Sequence, residues 1–201
     1  MSRARAKRQR ARGTGAGRGR RSAASPHVSV LVEAPEWPRR LRAAAALARR
    51  AGREALSAAP AGGSLGTGTV ELNVVLADDR AVRRLNRDWR GQDKATNVLS
   101  FPSQNGPARN GPARNGRPVP RLPPGVPVLL GDVVVACGVA ATEAAAQGKT
   151  LRAHLAHLVV HGVLHLLGHD HEVDAEAERM EALEAKILRR MGIANPYRTT
   201  A

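Results

Sequence analysis

Three histidines near the C-terminal end of the chain have the spacing of a metal site. His161 and His165 are four residues apart in an apolar stretch, so a helix would place both imidazoles on one face. Gly168 can end that helix in a left-handed conformation, after which the chain can turn back and bring His171 to the same ion. Three neutral imidazoles on a zinc-sized ion leave one position open to water, as in a catalytic site.

The same histidine spacing occurs in metzincin proteases, but one residue differs. Those enzymes have a glutamate directly after the first histidine, where it serves as the general base of peptide hydrolysis. In this chain the position is Gly162. A positioned proton-transfer group contributes about 10²–10⁴-fold to a rate, so the glycine argues against proteolysis. Phosphodiester hydrolysis depends less on such a base, because a metal can polarise a phosphoryl oxygen and lower the pKa of its water.

Three blocks of the sequence resemble the signatures of the YbeY family of bacterial rRNA-maturation endoribonucleases. They are HGVLHLLGHDH (161–171), LNRDWRGQDKATNVLSFP (85–102) and LGDVVV (130–135). Their order and separation match the family pattern, over about residues 26–195. The resemblance implies metal-dependent cleavage of single-stranded RNA, in 3′-end maturation of 16S rRNA and in ribosome quality control. It also implies one zinc ion per chain, held by His161, His165 and His171.

The resemblance assigns a required arginine to Arg90 and makes His161 a catalytic residue as well as a ligand. Chemistry is consistent with this role for Arg90, since a guanidinium holds phosphate through two parallel hydrogen bonds. A solvated arginine at the rim of a loop is the plainer alternative. Four further residues are candidates for contacts to the ligands or to the substrate: His157, Asp170, Asp93 and Asn97.

Other residues have less specific roles. Asp170 could orient a ligand imidazole, whereas His157 is equally suited to helix packing. Trp89 could stack on an RNA base, although capping of the core is its more ordinary use. His154 and His169 are expected at the surface, together with other variable positions of this region.

The charge distribution favours a polyanionic partner. The chain has 32 basic and 17 acidic residues, hence a net charge of +15, and nine of the basic residues lie within residues 1–21. The remainder still has a net charge of +6. Such an excess favours nucleic acid, here RNA, although general solubility and an arginine-rich codon bias are alternative causes. The resemblance also implies a small-subunit ribosomal protein and an Era-type GTPase as partners.

Composition divides the chain into a core domain and polar additions. We expect residues 1–25 to form a disordered Arg- and Gly-rich arm, residues 26–196 the folded domain, and residues 197–201 a tail. Within the domain, residues 104–127 form an Asn-, Gly- and Pro-rich insertion that neither a helix nor a central strand accepts. No apolar run is long enough for a membrane span or a signal peptide. The single Cys137 precludes an internal disulfide, which fits a cytoplasmic location, and we expect it to be a packing residue.

Periodicity predicts four strands and five helices. The strands are expected at 27–32, 69–76, 97–101 and 128–136, and the helices at 38–59, from an N-cap at Asp78 or Asp79 to 89, after strand four to 147, at 151–168 and at 172–191. The fold class is therefore α/β (α+β), a single domain with a four-stranded mixed sheet covered by helices and a zincin-like three-histidine site.

Three functions remain open at this point. The first is the metal-dependent endoribonuclease. The second is a metal-dependent hydrolase of another substrate, peptide included. The third is a ribosome-assembly factor that binds RNA without cutting it and whose metal is structural.

Overall fold

A computed structural model of the protein describes residues 26–58, 69–104, 126–169 and 173–197. The elements follow the predicted order: β1 (Pro26–Val32), α1 (Glu36–Arg40), α2 (Ala44–Ala58), β2 (Val70–Ala77), α3 (Asp79–Arg90), β3 (Val98–Pro102), β4 (Val128–Ala136), α4 (Cys137–Ala146), α5 (Leu151–Leu166) and α6 (Asp174–Arg190). The predicted arm 1–25, most of the insertion 104–127, the end of the tail, and the candidates Asp170 and His171 lie outside the described residues.

The four strands form one mixed sheet in the order β1-β2-β4-β3. The first three strands are parallel, with Val30 opposite Val74 and Val74 opposite Val133. Strand β3 lies at the edge and runs antiparallel to β4, with Ser100 opposite Val133. The predicted four-stranded mixed sheet and the α/β fold class are thus confirmed.

Helices cover both faces of the sheet. On one face, α2, α5 and α6 pack on residues such as Leu72 and Val133 and form the main core. On the other face, α3 covers a smaller group, the α3-side core, which consists of Ala77, Val82, Leu99, Val134 and Ala136. Helix α5 is the centre of the main core, because its apolar residues predicted to face inward, Leu155, Leu158, Val159 and Leu166, are all buried.

Glycine is required where β3 leaves the sheet. Gly131 has φ +137°, and a Cβ there would lie 2.2 Å from the carbonyl oxygen of Phe101. The β2–β4 register shifts between Glu71 and Leu72, next to this residue. The close approach holds the end of β3 against β4, and so fixes the strand on which α5 rests.

The single helix predicted at 38–59 is wrong. The segment forms two helices, because Leu41 is extended (φ −145°, ψ 93°) and separates α1 from α2. Trp37 anchors the short first helix, since its ring is fully buried and its Nε1 donates to the carbonyl oxygen of Ala77 at 3.0 Å. Periodicity did not reveal this break, because the buried contact is to a residue forty positions away.

The helix ends follow their local sequence signals. Asp78 caps α3 by accepting from the amide of Ala81, and Gly91 ends it with φ 69°. Thr150 caps α5 in the same way. Within the part of the chain that the structure describes, no helix is both long enough and apolar enough to cross a membrane.

Candidate metal centre

Helix α5 brings two of the predicted metal ligands together. His161 and His165 are one turn apart near its C-terminal end, and their Nε2 atoms are 3.1 Å from each other. Gly168 follows the helix with φ 90°, as the left-handed turn predicted there requires. The third predicted ligand, His171, lies outside the described residues, and so does Asp170.

Hydrogen bonds orient both imidazoles. The Nδ1 of His161 is 2.9 Å from Oε1 of Glu184, and the Nδ1 of His165 is 3.1 Å from the carbonyl oxygen of His169. Both acceptors require a proton on Nδ1, which places a lone pair on each Nε2. The two lone pairs converge, and convergence of this kind is favourable when a cation lies between them.

The separation of the two nitrogens also fits one metal ion. Ligand nitrogens at 2.0–2.1 Å from a tetrahedral zinc are about 3.3 Å apart, close to the distance found here. The second ring nitrogen of a metal-binding histidine usually donates to a carboxylate or a carbonyl. His161 and His165 have one of each. The donor set therefore fits a zinc-like ion on these residues.

Glu184 of α6 is the residue that sequence reasoning missed. Its carboxylate is fully buried and accepts from His161, from Nε2 of His157 at 2.8 Å, and from the hydroxyl of Tyr197. Burial alone raises the pKa of Glu184, but hydrogen bonds from His157 and His161, the charge of His157 and the Tyr197 hydroxyl lower it further, to about 2. The carboxylate is therefore ionised at neutral pH and joins α5, α6 and the C-terminal segment.

The sequence did contain a signal for Glu184. Met180, Ile187 and Leu188 were predicted to face inward and are buried. Glu184 lies four residues after Met180 and four before Leu188, so it falls on the same stripe of the helix. A charged residue on an apolar stripe is rarely buried without a partner.

The same carboxylate allows a second arrangement for a metal. His157, His161 and Glu184 each place one potential ligand atom within 4.8 Å of the others. A metal there would replace the hydrogen bonds between Glu184 and the two imidazoles. His161 belongs to both arrangements, whereas His157 and His165 each belong to one.

The other predicted site residues are distributed around the sheet. Arg90 is exposed at the C-terminal end of α3. Asp93 forms an exposed ion pair with Arg83, with the Nη2–Oδ2 distance at 2.7 Å. Asn97 donates to Oε2 of Glu143 at 2.8 Å, which joins the start of β3 to α4. The structure thus explains Asp93 and Asn97 by contacts that hold the α3–β3 loop and β3 in place.

His154 is not the surface residue that was expected. It is buried, and its Nε2 lies 2.9 Å from the same oxygen of Glu143 that Asn97 contacts. Burial lowers the pKa of His154, and the hydrogen bond to Glu143 opposes this. Its position one turn before His157 on α5 places it in the interface with α4. His169 is half-buried, and its carbonyl orients His165.

Gly162 lies at the closest contact between α5 and the sheet. A Cβ at this position would lie 2.8 Å from Cγ1 of Val133 and 3.0 Å from Oγ of Ser100. Ser100 also donates to the carbonyl oxygen of Gly162 at 3.1 Å. The residue after the first histidine therefore faces the sheet and is constrained by packing.

Two smaller expectations have opposite outcomes. Trp89 does not cap the core, because 72% of it is exposed. Cys137 is buried at the start of α4, and burial raises the pKa of its thiol. Its role as a packing residue is confirmed by this position.

Comparisons with known proteins agree with the sequence signatures. The family model described as Endoribonuclease YbeY matches residues 42–192. A protein of Paramagnetospirillum magneticum named Endoribonuclease YbeY is 48% identical over 170 residues, covering 85% of this chain and 94% of that protein. A protein of the same name from Rhodopseudomonas palustris is 42% identical over 176 residues, covering 88% and 92%. A solution structure from Thermotoga maritima has 20% identity and a TM-score of 0.48, and covers 86% of this chain and all of that one.

Proposed function

The chain belongs to the Endoribonuclease YbeY family, and we propose that it is a metal-dependent endoribonuclease that cleaves single-stranded RNA. Its substrate is proposed to be the precursor of the small-subunit rRNA, cut in 3′-end maturation and ribosome quality control. The relatives named above carry the endoribonuclease name over nearly their whole length. The net charge of +15 gives the chain attraction for a polyanion.

We propose that His161, His165 and His171 hold one zinc ion per chain. The observation that carries this assignment is the convergence of two Nε2 lone pairs at 3.1 Å, with both Nδ1 atoms engaged as donors. Bound there, zinc would supply polarisation of a phosphoryl oxygen and an activated water.

The protein's own residues orient these ligands and the substrate. Glu184 and the carbonyl of His169 fix the rings of His161 and His165, and Asp170 is proposed to do the same for His171. Arg90 is proposed to hold the phosphate next to the scissile bond. His157, held by Glu184, is the candidate for proton transfer at the rim of the site. Asp93 and Asn97 position the loop that carries Arg90 toward β3.

Two other functions are weighed against this one. A peptidase would need a base after His161, and the contact of Gly162 with Val133 leaves no room for one. An RNA-binding assembly factor with a structural metal would share the basic charge and the histidines. It would differ in having no cleavage activity, so it is separated by assay.

The decisive experiment pairs metal analysis with RNA cleavage for single-residue variants. His161→Ala should lose both metal and activity, and His165→Ala should do the same. His157→Ala should retain metal if the three-histidine site is correct. If His157→Ala loses the metal and His165→Ala keeps it, the His157–His161–Glu184 arrangement is the site instead. Wild-type protein that binds single-stranded RNA with full metal but leaves it uncut would favour the assembly factor.

Partners and location follow as further proposals. We propose that the basic arm 1–25 binds additional phosphates, and that the protein acts in the cytoplasm with a small-subunit ribosomal protein and an Era-type GTPase. Co-sedimentation with small ribosomal subunits, compared between the full chain and a chain without residues 1–21, tests the contribution of the arm. Removal of the arm should lower the dependence of binding on salt, by about 0.7 in log–log slope for each phosphate that the shortened chain no longer binds.

A further inference from the structure

Trp89 is exposed although its helix position points toward the sheet. The buried residues of α3 include Val82 and Asn86, and Trp89 continues this stripe at seven and three residues from them. Helix α3 extends past the part of the sheet that it covers, so the indole is 72% exposed where Val82 is fully buried. A large aromatic ring left in water at a helix end is uncommon and often marks a binding surface.

The indole is held by an aromatic neighbour. The rings of Trp89 and Phe101 are 5.9 Å apart between centroids, with an angle of 63° between their planes. Phe101 is half-buried against the α3-side core. An edge-on contact of this type restrains a ring while leaving a face accessible. The orientation of Trp89 is therefore established before a ligand arrives, which reduces the entropy lost on binding.

The side chains around Trp89 suit a nucleic acid. Arg87, Arg90 and Lys94 are exposed on the last turn of α3 and the loop after it, and Arg87 is only paired with its exposed neighbour Asp88. An aromatic face beside cations is the combination that binds single strands, because the ring stacks on a base and the cations contact the phosphates. A protein partner would require a broader apolar surface than one ring surrounded by charges.

The same strand connects Trp89 with the candidate metal centre. Phe101 contacts Trp89, and the preceding residue, Ser100, donates to the carbonyl of Gly162, next to His161. Adjacent residues of a strand point to opposite faces, so Trp89 and His161 lie on either side of the edge strand β3. No further strand covers β3 in the described sheet. A single RNA strand crossing this edge could contact both.

We propose that Trp89 is a stacking platform for an unpaired RNA base, on the opposite side of β3 from the metal centre. This inference rests on the proposed endoribonuclease function and names how the substrate is held. It also supplies a reason for a preference for single strands, because a base inside a duplex has no free face for the indole.

Tryptophan fluorescence gives a direct test, since the chain has two tryptophans and Trp37 is fully buried. Titration of the full-length, metal-loaded protein with a short 2′-O-methyl oligoadenylate should quench the emission of Trp89. Trp89→Ala should abolish the quenching and weaken the Kd about 5- to 150-fold, and Trp89→Phe should lose less. Leu31→Ala, which removes an exposed apolar side chain from the opposite edge strand β1, is the matched control and should bind normally.

An abasic oligonucleotide of equal length separates stacking from charge. It should bind the wild type and Trp89→Ala alike and should not quench. Equal quenching by the abasic strand, or an unchanged Kd in Trp89→Ala, would overturn the proposal. Protection of Trp89 from acrylamide in the free protein would also overturn it, because another segment of the chain would then cover the ring. If the wild type neither binds nor cuts any RNA, the endoribonuclease function itself fails.

Discussion

Replacement of Glu184 by alanine should affect metal binding and stability together. The buried carboxylate accepts hydrogen bonds from His157, His161 and Tyr197. Without it, Nδ1 of His161 has no acceptor to keep its proton on that nitrogen. Its ring can then rotate or change tautomer, so that Nε2 no longer presents a lone pair toward His165. We expect the affinity for zinc to fall about 10- to 100-fold, the usual loss when such a supporting carboxylate is removed.

The loss of stability follows from the three donors that remain. His157 is the least accessible, with 16% of its side chain exposed, whereas His161 and Tyr197 are more open and can bond to water. A buried donor without an acceptor costs about 1–3 kcal/mol, so one or two such donors together with the poorer packing give about 2–5 kcal/mol. For a chain of this size, this corresponds to a decrease in Tm of about 4–20 °C.

Isothermal titration with zinc and thermal unfolding of the metal-free protein measure the two effects separately. Glu178→Ala, an exposed carboxylate on the same helix, is the control and should change neither quantity. Glu184→Gln should be intermediate, because its carbonyl can still accept from His161 while its amide donates to His157. If Glu184→Ala binds zinc as tightly as Glu178→Ala, Glu184 does not orient His161, and the reasoning is wrong.

Three other predictions concern single positions. Arg90→Ala should sharply slow RNA cleavage with the metal content unchanged, and Arg90→Lys should recover little because an ammonium lacks the planar fork; a wild-type rate in Arg90→Ala, measured on single-stranded RNA, would refute the role. Gly131→Ala should destabilise the protein by about 2 kcal/mol or more in urea unfolding, since its Cβ would meet the carbonyl of Phe101, whereas Gly148→Ala, also at positive φ (62°) but in open space, should cost only about 1 kcal/mol. Cys137 should react with iodoacetamide far more slowly in the native than in the urea-unfolded protein, because burial both shields the thiol and raises its pKa; equal rates by mass spectrometry would contradict the buried position.

Local patterns predicted the features that depend on local geometry. The spacing of His161 and His165 fixes their common helix face, and Gly168 fixes the turn, because both follow from the helical repeat and from glycine's access to positive φ. The strand order and the contacts between helices depend on residues far apart in the chain. Glu184 meets His161 only because α6 packs on α5, and a single sequence does not state that pairing.

The errors have the same origin. Leu41 interrupts the predicted first helix because Trp37 is held by the end of β2. His154 was expected at the surface because its neighbours in sequence include polar residues, but Glu143 of α4 provides a buried partner. In both places a tertiary hydrogen bond outweighed the periodic pattern.

Gly162 explains how one histidine spacing can serve two kinds of chemistry. In metzincins the residue after the first histidine supplies the base, which requires that position to face the substrate. In this fold α5 lies on the sheet, so the same position faces Val133 and Ser100 at distances that exclude even a Cβ. The acidic group next to His161 is instead Glu184, which comes from another helix and approaches the opposite ring nitrogen. A carboxylate bonded to Nδ1 can orient the ligand, but it is enclosed by His157 and Tyr197 and is directed away from the side where a substrate would bind. The site is therefore built to hold and polarise a metal, with the phosphate held by basic residues, and it lacks the glutamate that peptide hydrolysis needs after the first histidine.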